Sequence, residues 1–421
     1  MIKKPRGTED ILPEDIGIWR LIEDKAREIC ELFGYNEIRT PVFEDTSLFS
    51  RGVGDSTDVV QKEMYSFNDK GGRNITLRPE GTASLVRSYI ENSLYANPQP
   101  TKLFYLISCY RYEKPQSGRL REFHQFGLEC FGSELPSADA EIIELALEFL
   151  KSLGINDLTL KINSIGCDNC KPQYLSRLKE YFMSHYDELC DTCKERLEKN
   201  PMRIIDCKSP VCREICKEAP KMIDYLCDDC GEHLDTLKTY LQNAGIEYEL
   251  DPNIVRGLDY YTKTVFEITS DDLGAQSAVC GGGRYNGLVE ELGGKPTPGI
   301  GFAMGLERII LILKSQKNIE LPMKVVPQIF IAAIGSAADC EAQKITSDLR
   351  KAGIRAERDL CGRSVKAQMK YANKLGAKFC FVLGDDEISM GRVSIKNMLT
   401  GESVECRLCA DSISKFISGT E

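Results

Sequence analysis

The chain has 421 residues, 42% of them hydrophobic and 28% charged, with 18 cysteines and a formal net charge of -10. That length exceeds one ordinary core and sets a prior of about two to three domains. No run approaches the roughly 18 apolar residues of a membrane span, the N-terminus MIKKPRGTED lacks the apolar stretch of a secretory signal, and the acidic balance excludes a protein that coats nucleic acid with a broad basic surface. A cytoplasmic protein without membrane contact is expected, and any nucleic-acid partner has to be held by local patches.

In chain order, Pro13, Glu14 and Asp15 suit the first turn of a helix whose apolar positions Ile18, Leu21, Ile22, Ile29 and Leu32 recur at helical spacing up to Gly34. Residues 36 to about 60 read as extended, with Pro41 inside an apolar stretch. Strand patterns follow at Glu63 to Phe67, Ile75 to Arg78, Lys102 to Tyr112 and Glu122 to Phe131, with one helix after Pro79. Strands that succeed one another with so few helices between them predict an antiparallel sheet. A helix from Ala138 to Leu153 closes this half. Residues 163–230 then hold nine of the cysteines amid Lys, Glu and Leu, which predicts a small helical insertion with its own staple. Strand patterns return at Val265 to Ile268 and near Val279, followed by CGGGRYNGL and GIGFAMGLERIILIL. The stretch Pro322 to Pro327 reads as a linker. Beyond it IFIAAIG, a helix from Ala338 to Ala352, a strand near Arg355, a helix from Ser364 to Gly376, KFCFVLG and VSIKN alternate, which predicts a compact α/β domain.

Three features carry chemistry. The segment FYLISCYRYEKPQSGRLREFHQFGLECFG, residues 104–132, pairs two strand patterns through a loop rich in cations, and Arg111 stands where a rigid strand end can aim its planar fork at a phosphate. Taken alone, Arg111 and Glu113 read better as an exposed pair. Arg308, opening an apolar helix after a glycine-rich approach, could meet a triphosphate or be a solvated cap. The spacings Cys167-x2-Cys170, Cys190-x2-Cys193 and Cys227-x2-Cys230, with Cys207, Cys212 and Cys216 between them and His185 and His233 nearby, are a strong chelation signal in a reducing compartment. Structural zinc suits them better than redox work, because no βαβ context surrounds the pairs. Free buried thiols in a helical insertion remain the alternative. CGGGRYNG lacks the context of a dinucleotide fingerprint.

Taken together, the 104–132 segment and GLERIILIL resemble motifs 2 and 3 of the class II aminoacyl-tRNA synthetases, and IRTPVFEDTSLF, with Pro41 in the proline position, resembles motif 1. KPRGTEDILP, LRPEGTA at 77–83 and RGLDYYTKTVFE at 256–267 are similar to signatures of the histidyl-tRNA synthetase family, in order and across essentially the whole chain. The resemblance implies an α+β catalytic domain over residues 1–325 around an antiparallel sheet, a cysteine-rich helical insertion at about 165–245, and an α/β anticodon-binding domain over 326–421. It implies ligation of L-histidine to tRNA(His) through a histidyl-adenylate, with ATP and Mg²⁺, by a homodimer paired through motif 1. Carried over residue by residue, it gives Arg111, Arg256 and Arg308 as catalytic. Glu113, Arg119 and Phe123 join Arg111 and Arg308 around ATP. Glu80, Thr82, Gln125, Glu129, Tyr260 and Tyr261 hold histidine. Cys167, Cys170, Cys190, Cys193, Cys207, Cys227 and Cys230 are the zinc candidates from the spacing argument.

His124 reads as a loop-supporting histidine, since adenylate formation needs no base from the protein. Between Arg350 and Lys378 nine basic residues face two acidic ones, and Lys366, Lys370 and Lys374 share one helical face. Such a stripe is usually a solvated face. In this family it becomes a landing surface for RNA phosphates. The rival reading is the regulatory subunit of ATP phosphoribosyltransferase, which is similar but does not charge tRNA. It is expected to erode the catalytic arginines and the terminal domain, both of which this chain keeps.

Overall fold

A computed structural model describes the chain except residues 55, 56, 58, 257, 271–277, 317–324 and 420–421. Two compact units emerge, Met1–Pro322 and Met323–Glu421. The expected linker at 322–327 lies partly outside the described residues.

The first unit begins with α1 (Ile16–Leu32), which buries Ile18, Trp19, Ile22, Ala26 and Ile29; Leu32, counted on its apolar face, is 75% exposed. Two short strands follow, β1 (Asn36–Glu37) and β2 (Phe43–Asp45), and then α2 (Thr46–Val53). This corrects the extended reading of 36–60: the Asp45 side chain accepts from the Ser47 amide at 2.9 Å and starts a helix there. Strands β3 (Tyr65–Asn68) and β4 (Asn74–Leu77) complete a three-stranded sheet of order β2-β4-β3, and α3 (Thr82–Glu91) follows it.

The long hairpin β5 (Thr101–Tyr110) and β6 (Glu122–Phe131) leads through α4 (Pro136–Ser152) to β7 (Leu158–Ser164). β7 was not anticipated, although Leu158, Leu160 and Ile162 alternate with polar residues. Helices α5 (Lys171–Ser184), α6 (Asp191–Lys199), α7 (Pro210–Lys217) and α8 (Asp228–Asn243) form the insertion. After it come β8 (Glu249–Leu250), β9 (Thr262–Ser270), β10 (Ala278–Arg284), α9 (Leu288–Glu291), β11 (Gly299–Gly305) and α10 (Leu306–Ser315).

These strands make an eight-stranded sheet of order β1-β5-β6-β11-β10-β9-β7-β8. The six central strands are antiparallel, and the edge pairs β1/β5 and β7/β8 are parallel. Alternation along each strand assigns its side chains to two faces. Phe126 and Leu128, Ile300 and Phe302, and Phe266 and Ile268 point into an apolar core with α1, α4, α8 and α10. The residues between them, among them Gln125, Gly127, Glu129, Gly301, Ala303 and Glu267, fall on the opposite face.

In the second unit, β12 (Ile329–Ala333), α11 (Ser336–Lys351), β13 (Ala356–Arg358), α12 (Val365–Leu375), β14 (Phe379–Leu383), α13 (Asp385–Met390), β15 (Arg392–Asn397), β16 (Ser403–Arg407) and α14 (Ala410–Ser418) build a sheet of order β13-β12-β14-β15-β16. The parallel part has the alternation expected, and β15 and β16 add an antiparallel hairpin. Buried Gln368 on α12 bonds both backbone groups of Ala333 at 2.9 Å, fastening that helix to β12.

Candidate functional site

The face of the large sheet turned away from the helices is floored with glycine. A Cβ at Gly127 would overlap the Tyr105 ring, one at Gly301 the Glu129 carboxylate, and one at Gly281 the Arg256 guanidinium. Removing side chains at these points lets three large polar groups lie flat on the strands, and a cavity of about 450 Å³ opens above them. Glu80, Thr82, Arg111, Glu113, Arg119, Phe123, Gln125, Glu129, Arg256, Tyr260, Tyr261 and Arg308 all line it. Every non-metal site residue taken from the sequence is therefore brought to one place, from segments up to about two hundred residues apart.

At one end the groups are acidic and phenolic. Glu80, just before α3, accepts from the amides of Thr82 and Ala83, both at 2.8 Å, so its carboxylate caps that helix. Thr82 Oγ1 donates to Glu129 Oε1 at 2.7 Å, and the Tyr285 hydroxyl donates to Glu129 Oε2. Glu129 is 1% exposed. Burial pushes its carboxyl up to about 8, against the lowering effect of those hydroxyls. Burial raises Glu80 as well. The Tyr260 ring packs 4.7 Å from Tyr261 and 5.6 Å from Tyr285. Tyr105 is buried beside Glu129 and Glu80, and burial raises its phenol well above the ordinary range. Cys109 Sγ donates to Gln125 Oε1 at 3.2 Å, which orients the amide.

At the other end the groups are cationic. Arg111 Nε donates to the Pro79 carbonyl at 2.9 Å, and its guanidinium sits 5.2 Å from the centre of the Phe123 ring. Glu113 pairs with Arg119 at 3.3 Å rather than with Arg111, so the exposed cross-strand pair is not what forms. Arg308 Nη1 donates to the Ala278 carbonyl, and burial followed by repulsion from Arg119 lowers its pKa. Between the two ends, Arg256 Nη1 meets Glu267 Oε2 at 3.1 Å while its buried Nε has no partner among the described residues. In the N-terminal PRG, Gly7, at φ +87°, accepts from the Arg121 amide at 2.7 Å, and a Cβ there would press on the Arg121 side chain.

His124 lies outside the cavity. Its backbone amide donates to Glu307 at 2.9 Å, its Nδ1 is 2.9 Å from the same carboxylate, and its ring packs edge-on to Trp19, which is the supporting role read from the sequence. Tyr105, Glu267 and Tyr285 were missed. No local periodicity marks them; Tyr285 reaches Glu129 only through the β10-β11-β6 register.

The cysteines gather into two groups, Cys167, Cys170, Cys227 and Cys230, and Cys190, Cys193, Cys207 and Cys212. All seven sequence candidates are included, and Cys212 completes the second group. Cys216 stands apart and donates to the Ile204 carbonyl at 3.4 Å. His185 pairs with Glu188 and His233 with Asp139, so neither joins a thiol group.

A family model described as Histidyl-tRNA synthetase matches residues 7–167 and 213–309, and one described as Anticodon binding domain matches residues 328–418. The histidine–tRNA ligase of Acetivibrio thermocellus is 57% identical over 408 residues, 97% of this chain and 98% of that protein. That of Caldanaerobacter subterraneus subsp. tengcongensis is 55% identical over 417 residues, 99% of each. Among solved structures, apo histidyl-tRNA synthetase from S. aureus is similar with a TM-score of 0.83 at 42% identity, covering 99% of this chain and 100% of that one. An ATP phosphoribosyltransferase regulatory subunit/histidyl-tRNA synthetase from Bacillus halodurans shares the fold, with a TM-score of 0.60 at 24% identity over 88% of this chain and 96% of that one.

Proposed function

The chain belongs to the histidyl-tRNA synthetase family and ligates histidine to tRNA(His), and we propose that the glycine-floored cavity is where both half-reactions take place. The observation that carries this reading is that one cavity gathers an acidic and phenolic set, Glu80, Glu129, Tyr260 and Tyr261, together with four arginines, Arg111, Arg119, Arg256 and Arg308.

Glu129, Glu80, Thr82, Gln125, Tyr260 and Tyr261 receive histidine. A carboxylate and phenols set around an imidazole match its donors and acceptors, and an apolar isostere would leave those buried groups unpaired. ATP enters with Mg²⁺ and lies across the cationic end. Phe123 stacks on adenine, Glu113 meets the base, Arg111 holds the α-phosphate, and Arg119 and Arg308 hold the β- and γ-phosphates. The histidine carboxylate oxygen then bonds to the α-phosphorus, the bond from that phosphorus to the bridging oxygen breaks, and pyrophosphate leaves with the bonding pair. No protein nucleophile is required. The work is alignment of two anions and stabilisation of charge growing on phosphorus. Arg256 does this: its guanidinium is buried and held by Glu267, and its Nε has no partner among the described residues, so little reorganisation is left for the reaction itself. In the second step a hydroxyl oxygen of the terminal ribose of tRNA(His) bonds to the histidyl carbonyl carbon, the bond from that carbon to the phosphate oxygen breaks, and AMP departs with the bonding pair while the hydroxyl proton is released.

Three further parts belong to the same reading. The protein is a homodimer: Phe43, Tyr65, Phe67, Ile75 and Leu77 share one face of the three-stranded sheet, and Phe43 and Phe67 are 58% and 49% exposed. The second unit binds the anticodon arm, with exposed Lys366, Lys370 and Lys374 along α12 meeting phosphates. The insertion holds structural zinc, and the enzyme works in the cytoplasm, where its thiols stay reduced. No helix among the described residues is long and apolar enough to cross a membrane.

Charging a tRNA(His) transcript with labelled histidine tests the reading: acid-stable label should appear on tRNA only with ATP and histidine present. A chain that fails to charge but activates ATP phosphoribosyltransferase would be the regulatory subunit instead.

A further inference from the structure

The insertion buries an apolar set of its own, Tyr174, Leu178, Phe182, Leu189, Leu197, Ile204, Ile215, Ala219 and Met222, around its cysteines. A segment of about 80 residues rarely holds a unique fold on so small a core without a staple. The thiols are arranged as one. Cys167 Sγ is 3.7 Å from Cys170 Sγ and 3.8 Å from Cys227 Sγ, and Cys190 Sγ is 3.8 Å from Cys207 Sγ. Disulfide sulfurs would be about 2.05 Å apart. Four thiolates at the Zn–S distance of about 2.3 Å stand about 3.8 Å apart along the edges of a tetrahedron. In each group all four sulfurs lie within 4.8 Å of one another, too close to surround a four-iron cluster.

The surrounding backbone is built for negative charge on sulfur. The Cys227 amide donates to Cys170 Sγ at 3.1 Å, the Cys190 amide to Cys212 Sγ at 3.4 Å, and the Ser209 amide to Cys207 Sγ at 3.4 Å. Two of the Cys-x2-Cys turns are closed by their own backbone, through the bonds from the Cys170 amide to the Cys167 carbonyl and from the Cys193 amide to the Cys190 carbonyl, at 3.0 and 2.8 Å.

We infer that the insertion binds two zinc ions, one held by Cys167, Cys170, Cys227 and Cys230 and the other by Cys190, Cys193, Cys207 and Cys212. This rests on the zinc reading of the insertion and gives it a number and ligands. With four protein thiolates and no open position, both sites are structural. The first joins the start of the insertion to its exit helix α8. The second fixes the loop from Arg203 to Lys208, where Arg203 Nη1 donates to the Arg256 carbonyl at 3.4 Å and Asp206 and Lys208 line the catalytic cavity. Beside the first, Gly166 accepts from Thr262 Oγ1 at 3.0 Å, next to Tyr261.

The test is metal content of the full chain purified without chelator, read by mass spectrometry, together with zinc release during titration by a mercurial. Two zinc ions per chain are expected, freed as the eight clustered thiols react, in addition to exposed Cys340, Cys361 and Cys409, which react without releasing metal. Cys212→Ser and Cys227→Ser should each retain one, and the double variant none. If a variant does not fold, the wild-type stoichiometry of two ions per eight thiols still decides. One zinc per chain would overturn the two-site inference alone, whereas no zinc, or iron with visible thiolate absorption, would overturn the zinc reading too. Charging of tRNA measured on the same sample keeps these outcomes separate from failure of the catalytic reading.

Discussion

Both faces of the large sheet bury charge, but they do so differently. On the helix side, Arg284 of β10 is fully enclosed; it pairs with Asp139 in the first turn of α4 and donates to the carbonyls of Ser133 and Leu135 at 2.6 and 3.1 Å. His233 of α8 completes the group at 3.2 Å from Asp139. On the cavity side, Arg256 keeps a buried Nε without a partner among the described residues, and Glu129 a carboxyl pushed up to about 8 by burial. The first cluster is closed upon itself and holds elements together. The second is incomplete in the protein alone, and such groups are costly unless a ligand completes them. Burial of a charge therefore does not distinguish structure from function; the state of its hydrogen bonds does.

The largest expected effect is on the closed side. Asp139→Asn leaves Arg284 buried against a neutral amide, at a cost of about 3–5 kcal/mol in unfolding free energy, read by chemical denaturation. Burial raises the Asp139 pKa, but its bonds to His233 and Arg284 outweigh this and hold it below the ordinary aspartate range. The native-state contribution is thus present above that range and lost as pH falls through the lowered value, so wild type and variant should converge in acid. On the open side, Arg256→Ala should cost about 2.7–4 kcal/mol of transition-state stabilisation, roughly 10²–10³ in kcat, with little change in unfolding. Glu129→Gln comes next. The KM for histidine should rise by about ten- to a hundredfold, as a charge-assisted hydrogen bond worth about 1.5–3 kcal/mol is lost, while the KM for ATP stays nearly constant. Its effect on the ligand-free protein has the opposite sign. A raised carboxyl binds a proton in the native state that the unfolded chain has released, so wild type loses stability as pH climbs from about 4.5 towards 8. The variant should lack that loss, so its melting temperature should fall less than that of wild type between about pH 5 and pH 8. The smallest effect is on α12: replacing Lys366, Lys370 and Lys374 with Ala should weaken tRNA binding by a few fold and flatten its salt dependence, leaving histidine-dependent exchange unchanged.

The contrast also explains what could be read in advance. Arg111, Arg256, Arg308 and the residues proposed to receive histidine stand in contiguous strings whose order survives in one dimension, and the alternation of Phe126, Leu128 and Cys130 against Gln125, Gly127 and Glu129 tells which residues share a face. Tyr285, Arg284 and Asp139 acquire their roles from register between strands and from helix placement some 145–156 residues away, information that no local pattern carries. The residues of α2 read as extended because Pro41 and the adjoining Val42 and Phe43 dominate the local pattern, whereas the Asp45 cap that starts the helix is a single side chain. β7 was overlooked for a different reason: its seven residues are only partly apolar, and pairing with β9 rather than propensity holds them.

The central claim is that the incomplete cluster, not the closed one, is the working site. It is tested most directly by measuring histidine-dependent ATP–pyrophosphate exchange on Arg256→Ala and Asp139→Asn under conditions where both are folded. The account predicts that Arg256→Ala loses at least a hundredfold in rate at unchanged stability, and that Asp139→Asn exchanges at close to the wild-type rate despite its lower stability. Arg256→Ala exchanging within tenfold of wild type, or losing as much stability as Asp139→Asn, would contradict it.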